Sequence, residues 1–262
     1  MSKSRATGTR EWAKHSDNAM EGCGHNCLYC YARAKDKRAD VSWSTETPLP
    51  PRSRTGKKTG AIMFPTNHDL TPGNLGVTLP ALEALLVAGN DVLVVSKPHL
   101  SVIQALCLHL AGHEDRLLFR FTIGSVSDED LAFWEPGAPT FAERLKALAH
   151  ARQAGFRTSV SMEPLLSPDE DTILTTVAVL DPHVTDSIWL GKMNHAEERL
   201  RANGVWERPG VQERTLALLE SQSDERILRL YSALKDNPKV RWKESIKQVV
   251  GLDLADETGL DV

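Results

Sequence analysis

"DVLVVSKPHLSVIQALCLHLAGHEDRLLFRFTIG" (residues 91–124) contains two apolar runs separated by a segment with helical spacing. "DVLVVSK" reads as a buried strand from its valines. "LSVIQALCLHLAG" keeps its apolar residues on one helical face and stops at glycine, and "RLLFRFTIG" is a second strand. The unit recurs on both sides. Upstream lie the strand "GAIMFPT" (60–66) and the helix "TLPALEALLVAG" (78–89). Downstream lie the helix "TFAERLKALAHARQAG" (140–155), with Thr140 as N-cap and Gly155 as stop, the strand "FRTSVSMEPL" (156–165), the helix "DEDTILTTVAVL" (169–180) and the strand "DSIWLGKMN" (186–194). Strands alternating with helices at this spacing mean repeated βα units and a parallel sheet.

The strand ends choose between a doubly wound sheet and a barrel. "FPTNHD", "SKPH", "TIGS", "MEP" and "GKMN" place polar residues at the C-terminal end of successive strands. In a βα-barrel those ends form one rim, where active sites lie. About six units fit, so the expected fold class is α/β, a partial (βα)6 TIM-type barrel with a C-terminal helical extension. Residues 1–17 are polar and expected to be disordered or extended, 18–195 form the core, and 196–262 carry two further helical stretches, 211–222 and 224–236, before "VRWKESIKQVVGL".

A net charge of −4 gives no global attraction to nucleic acid, and no segment has the length and apolarity of a signal peptide or membrane span. A cytoplasmic protein without a membrane partner is expected. The Pro- and Gly-rich stretch 44–60 reads as an exposed loop, whose Arg52, Arg54, Lys57 and Lys58, with Arg38 upstream, are more simply solvated than phosphate-bound.

Three of the four cysteines fall in "CGHNCLYCYAR" (23–33), a helical-looking stretch following them. Four readings compete. A structural zinc site on Cys23, His25, Cys27 and Cys30 would make the chain a zinc-stabilised nucleic-acid-binding module without catalysis, but no second Cys/His pair with zinc spacing is evident. A redox pair of Cys27 and Cys30 leaves Cys23 unexplained. Buried core thiols would not cluster beside glycine and polar residues. An iron–sulfur cluster held by three thiolates leaves one iron open to a small molecule. Cys107, inside an apolar helix, is a small buried hydrophobe.

C-x3-C-x2-C with an aromatic before the third cysteine resembles the radical S-adenosylmethionine superfamily. The fuller "GCGHNCLYCYAR" is similar to its branch of spore photoproduct lyase and DNA repair photolyase-like proteins. "EPGAPTFAERLKALAHARQAGFRTSVSMEPLL" (135–166) extends the likeness, which runs over about 18–195. The resemblance implies a [4Fe-4S] cluster on Cys23, Cys27 and Cys30, S-adenosylmethionine on its open iron, an electron donor of flavodoxin or ferredoxin type, and lyase-like chemistry on nucleic acid or a nucleotide. It places Tyr29 against the adenine and Tyr31 as cover. Asn67 and His68 become cofactor contacts, Lys97 the partner of the methionine carboxylate, and Thr122 a contact to the ribose. Glu135 and Arg144 would form an architectural ion pair. Two positions depart from the lyase. Thr66 stands where it has a hydrogen-donating cysteine, and Glu163 where it has a small residue. Both are therefore candidates for setting a different reaction, with Lys192 and Asn194 on the same rim.

Overall fold

The computed structural model describes residues 6–259 and 261. The strands, in chain order, are β1 (His15–Ser16), β2 (Met20–Glu21), β3 (Thr47–Pro48), β4 (Ile62–Phe64), β5 (Val92–Ser96), β6 (Leu117–Thr122), β7 (Arg157–Met162), β8 (Ile188–Leu190) and β9 (Val240–Trp242). The helices are α1 (Leu75–Val87), α2 (Leu100–His109), α3 (Asp128–Trp134), α4 (Phe141–Gln153), α5 (Glu170–Leu180), α6 (Ala196–Ala202), α7 (Val211–Ser221), α8 (Asp224–Leu234) and α9 (Glu244–Val250). Seven strands form one sheet in the order β1-β4-β5-β6-β7-β8-β9, and every pair is parallel. Strands β2 and β3 pair separately and antiparallel. The expected partial βα-barrel is what the chain forms. Among the described residues, no helix is long and apolar enough to cross a membrane.

A period of two divides each strand between two environments. Val92, Val94, Leu117, Phe119, Phe121, Val160, Ile188 and Leu190 pack outward with the helices in the main core. Leu93, Leu118 and Trp189 point the other way and meet Trp12 in a second cluster. The same inward face contains Arg120, fully buried, with its guanidinium 4.5 Å from the Trp12 ring centroid and 5.4 Å from that of Trp189. Its Nε donates to Ser159 Oγ at 3.0 Å, and burial pulls its pKa down to about 9. This stack plugs the barrel beneath the site. One step beyond the strands, the same alternation turns Lys97, Glu163 and Lys243 inward above it.

Three expectations need correction. Residues 1–5 lie outside the described residues, but 8–17 are not disordered. Gly8–Glu11 forms a 3-10 turn, Trp12 is buried at 3% exposure, and β1 joins the sheet beside β4. The cause is a strap geometry in which Glu11 Oε1 meets Lys243 Nζ at 2.7 Å, while Arg10 and Glu11 carbonyls accept from Gly259 and Asp261. The C-terminal part is also not purely helical. Val240 and Trp242 alternate with Arg241, so this stretch becomes β9 and completes the sheet. Finally, the helical-looking stretch after the third cysteine forms only a turn and the 3-10 helix Arg33–Lys35. Arg38 folds back there to Asp36 and to the Thr45 carbonyl at 2.7 Å, ending any helix.

Trp12→Ala removes a buried aromatic and uncovers Arg120. It is expected to lower stability by about 3–5 kcal/mol, the usual range for a buried large-to-Ala change. Urea unfolding measures this, and a loss below about 0.5 kcal/mol, as at ordinary surface positions, would contradict the plug.

Candidate active site

The cysteine loop follows β2 and is held at both ends by backbone. Cys23 N donates to Trp43 O at 2.9 Å, and Leu28 N to Trp134 O at 2.9 Å. Asn203, just past α6, donates its amide to the carbonyls of Leu28 (2.8 Å) and Cys30 (3.0 Å). Gly22 opens the loop with φ +85°, and a Cβ there would lie 2.2 Å from the Thr45 carbonyl oxygen. Only glycine combines that backbone with that approach. Cys23, Cys27 and Cys30 are all free thiols and line one cavity of about 630 Å³. Burial pushes all three thiols up, so stable thiolates there call for an incoming cation. Three soft donors on one loop facing an open volume fit an iron–sulfur cluster.

His25 does not complete a four-ligand zinc set with them. Its Nδ1 lies 2.9 Å from Asp69 Oδ2 and its Nε2 2.9 Å from His99 Nε2. Among the described residues, the trio of donor atoms that approach within 4.8 Å of one another is Cys23, His25 and Asp69, without Cys27 or Cys30.

Tyr29, Tyr31, Thr66, Asn67, His68, Lys97, Thr122 and Glu163 all line the same cavity, as does Lys192, whereas Asn194 instead reaches Glu244 at 3.4 Å. Lys97 is half-buried. Its Nζ lies 3.4 Å from Asp69 Oδ2, 3.9 Å from Glu135 Oε1 and 6.0 Å from the Tyr29 ring centroid. Burial alone would depress its pKa, but Asp69 and the other neighbours hold it well above the usual lysine value. The Tyr29 hydroxyl donates to Glu135, and that of Tyr31 to the Thr66 carbonyl. Both hydroxyls are thereby committed to the protein, leaving the ring faces to the cavity.

Thr66 is held by Asn18, whose amide donates to Thr66 Oγ1 at 2.8 Å while its carbonyl accepts from Thr66 N and Asn67 N. His68 has both nitrogens engaged. Nε2 accepts from Ala19 N (3.2 Å) and Met20 N (3.3 Å), and Nδ1–H donates to the Asp69 carbonyl at 3.0 Å. Burial pushes its pKa down, which agrees with a neutral ring. Glu163 Oε2 lies 3.3 Å from Lys243 Nζ, and burial pushes its carboxyl up against the pull of that ammonium. Gly191, just past β8, leaves the room, since a Cβ there would lie 2.9 Å from both Glu163 and Lys243.

No protein-family model matches the chain. The uncharacterized protein ORF301 of Acidianus two-tailed virus is 28% identical to it over 171 residues, 58% of this chain and 56% of that protein. Streptococcus suis SuiB bound to S-adenosylmethionine has a similar fold, with a TM-score of 0.57 at 8% identity over 94% of this chain and 54% of SuiB. SuiB bound to precursor peptide SuiA matches with a TM-score of 0.58 at 7% identity, over 92% and 51% of the two chains. The chain thus spans about half the length of these proteins. At such identities the likeness to SuiB is one of fold.

Asp69, Asn18 and Lys243 are among the site residues that sequence reading left without a role. Asp69 had a visible signal, an acid inside the polar strand end "TNHD". Asn18 and Lys243 had none, because their roles depend on chain segments far apart in sequence. The expected Glu135–Arg144 pair forms at 2.6 Å with both side chains fully buried. Breaking such a pair from one side strands a charge, so Arg144→Met is expected to cost about 3–5 kcal/mol. Glu135→Leu/Arg144→Met together should recover much of it in the same unfolding assay. A single variant as stable as wild type would remove this pair from the account.

Proposed function

We propose that this chain is a radical S-adenosylmethionine enzyme. The observation that carries the reading is the convergence of Cys23, Cys27 and Cys30 with the half-buried Lys97 on one cavity at the C-terminal ends of parallel barrel strands. The fold likeness to a protein crystallised with S-adenosylmethionine supports it. A [4Fe-4S] cluster on the three thiolates, reduced by a flavodoxin- or ferredoxin-type donor, would supply the electron that cleaves S-adenosylmethionine to methionine and a hydrogen-abstracting 5′-deoxyadenosyl radical.

The chain's own residues position and shield. Lys97 presents an ammonium, held charged by Asp69 and Glu135, to the methionine carboxylate. The ring of Tyr29 and the Thr122 hydroxyl border the space left for adenosine. Tyr31 and the Asn67–His68 turn close that space, with His68 acting through the backbone of residues 19 and 20. Glu163 faces the substrate and is oriented from behind by Lys243. Thr66 offers a hydroxyl, whose strong O–H bond makes it a poor hydrogen-atom donor, and Asn18 already binds it. Repair of a thymine lesion by thiol hydrogen donation is therefore not the expected reaction. Nucleic acid or a nucleotide is the favoured substrate class, carried by the sequence resemblance.

The test is anaerobic reconstitution followed by dithionite and S-adenosylmethionine. Wild type and Cys107→Ala should bind about four iron and four sulfide, as such clusters require, and release 5′-deoxyadenosine. Cys23→Ala, Cys27→Ala and Cys30→Ala should each lose the cluster and the product. Glu163→Ala should retain both while losing turnover of the true substrate. Stoichiometric zinc in place of iron would sink the reading.

A further inference from the structure

Charges around the cavity mouth are unequally partnered. Among the described residues three carboxylates line it, and each has a basic group beside it: Asp69 has Lys97 and His25, Glu163 has Lys243, and Glu198 has His195 at 3.2 Å. The cations differ. Arg10 on the strap, Lys35 after the cysteine loop and Arg199 on α6 line the same cavity, and none has a carboxylate within 4.0 Å among the described residues. Lys192, past β8, has only Asp224 at 3.7 Å, a residue whose side chain is 78% exposed. Arg199 is half-buried between two parts of the wall. Tyr31 and Glu163 line the cavity with it.

These four cations come from four separate elements, and none belongs to the motifs that carry the sequence resemblance. Unpaired cations around a concave mouth focus positive potential locally even on a chain of net charge −4. Dispersed guanidinium and ammonium groups suit successive phosphates better than one carboxylate. Aromatic surface lies alongside, since Tyr31 and Trp43 line the same cavity and Lys35 Nζ sits 5.4 Å from the Tyr31 ring centroid. Rings beside a basic track are the usual means of holding single strands.

We propose that Arg10, Lys35, Lys192 and Arg199 form a phosphate-binding subsite that seats a single-stranded nucleic acid across the cavity mouth. The inference deepens the proposed function and rests on it for which end of the substrate enters. Binding itself needs neither cluster nor cofactor. The subsite explains how an acidic chain without a global basic face can hold a polyanion: the surplus charge is confined to the rim.

Fluorescence anisotropy of a short fluorescein-labelled single-stranded DNA on the metal-free full chain tests this, at low and physiological salt. Wild type should bind, and weaken steeply with salt. Lys35→Gln/Arg199→Gln should raise Kd about tenfold or more, as expected for lost hydrogen bonds to charged groups. It should also flatten the log–log salt slope by about 1.4, at roughly 0.7 per phosphate contact on single strands. Lys146→Gln/Arg152→Gln, at exposed positions of α4, should bind as wild type does. If Arg199→Gln lowers the melting temperature, the exposed Lys35→Gln carries the test alone, with about half that change in slope. The proposal is overturned if wild type does not bind, if the rim variant binds equally well, or if a labelled polyglutamate peptide binds as tightly as the DNA. Cluster assembly is assayed separately. Strand binding without cluster assembly would reject the radical reading and keep the subsite, and the opposite result would do the reverse.

Discussion

The buried carboxylate of Asp69 joins the two halves of the site. Its Oδ1 accepts from Ser96 Oγ at 2.9 Å and from Lys97 N at 2.7 Å, which fixes the end of β5. Its Oδ2 faces Lys97 Nζ, His25 Nδ1 and, at 3.7 Å, Cys23 Sγ, which fixes the cysteine loop. A carboxylate out of water is costly unless it is paired and hydrogen-bonded. Burial works against its ionisation, yet Lys97, His25 and these hydrogen bonds hold its pKa well below the usual carboxylate value. The loop therefore cannot drift from the barrel without stranding this charge. The pairing also keeps Lys97 charged and pointed into the cavity.

A second constraint acts at the open seam of the sheet. A seven-stranded partial barrel leaves β1 and β9 as edges, and exposed edges invite pairing with other chains. The strap and the C-terminal tail pack against each other through backbone hydrogen bonds. Lys243, fully buried, ties them to the site: its Nζ meets Gly8 O at 2.8 Å, Glu11 and Glu163, and lies 3.9 Å from the Trp12 ring centroid. Fold closure and the orientation of Glu163 thus share one ammonium.

Much of this was legible in the sequence because its signals are local. Strand periodicity, the helix stop at Gly155 and the Thr140 cap, which accepts from Glu143 N, depend on neighbours a few residues apart. So does the cysteine spacing. Polar strand ends marked the rim, and the same alternation that buries Phe119 and Phe121 turns Thr122 inward. The short helix α3 was missed because its few residues show little periodicity, although Ser127 caps it by accepting from Asp130 N. Segments whose fate depends on distant partners were misread. Trp12 looks like a residue in a polar tail until Arg120 and Trp189 are beside it, and "VRW" is too short to announce a strand without β8 to pair with.

The central claim is that three thiolates hold a cluster with one iron left for the cofactor. Electron paramagnetic resonance of the anaerobically reconstituted, dithionite-reduced protein, recorded with and without S-adenosylmethionine, tests it most directly. The account predicts a signal from a reduced four-iron cluster whose g-values shift when the cofactor is added. A cluster signal that S-adenosylmethionine leaves unchanged would contradict it.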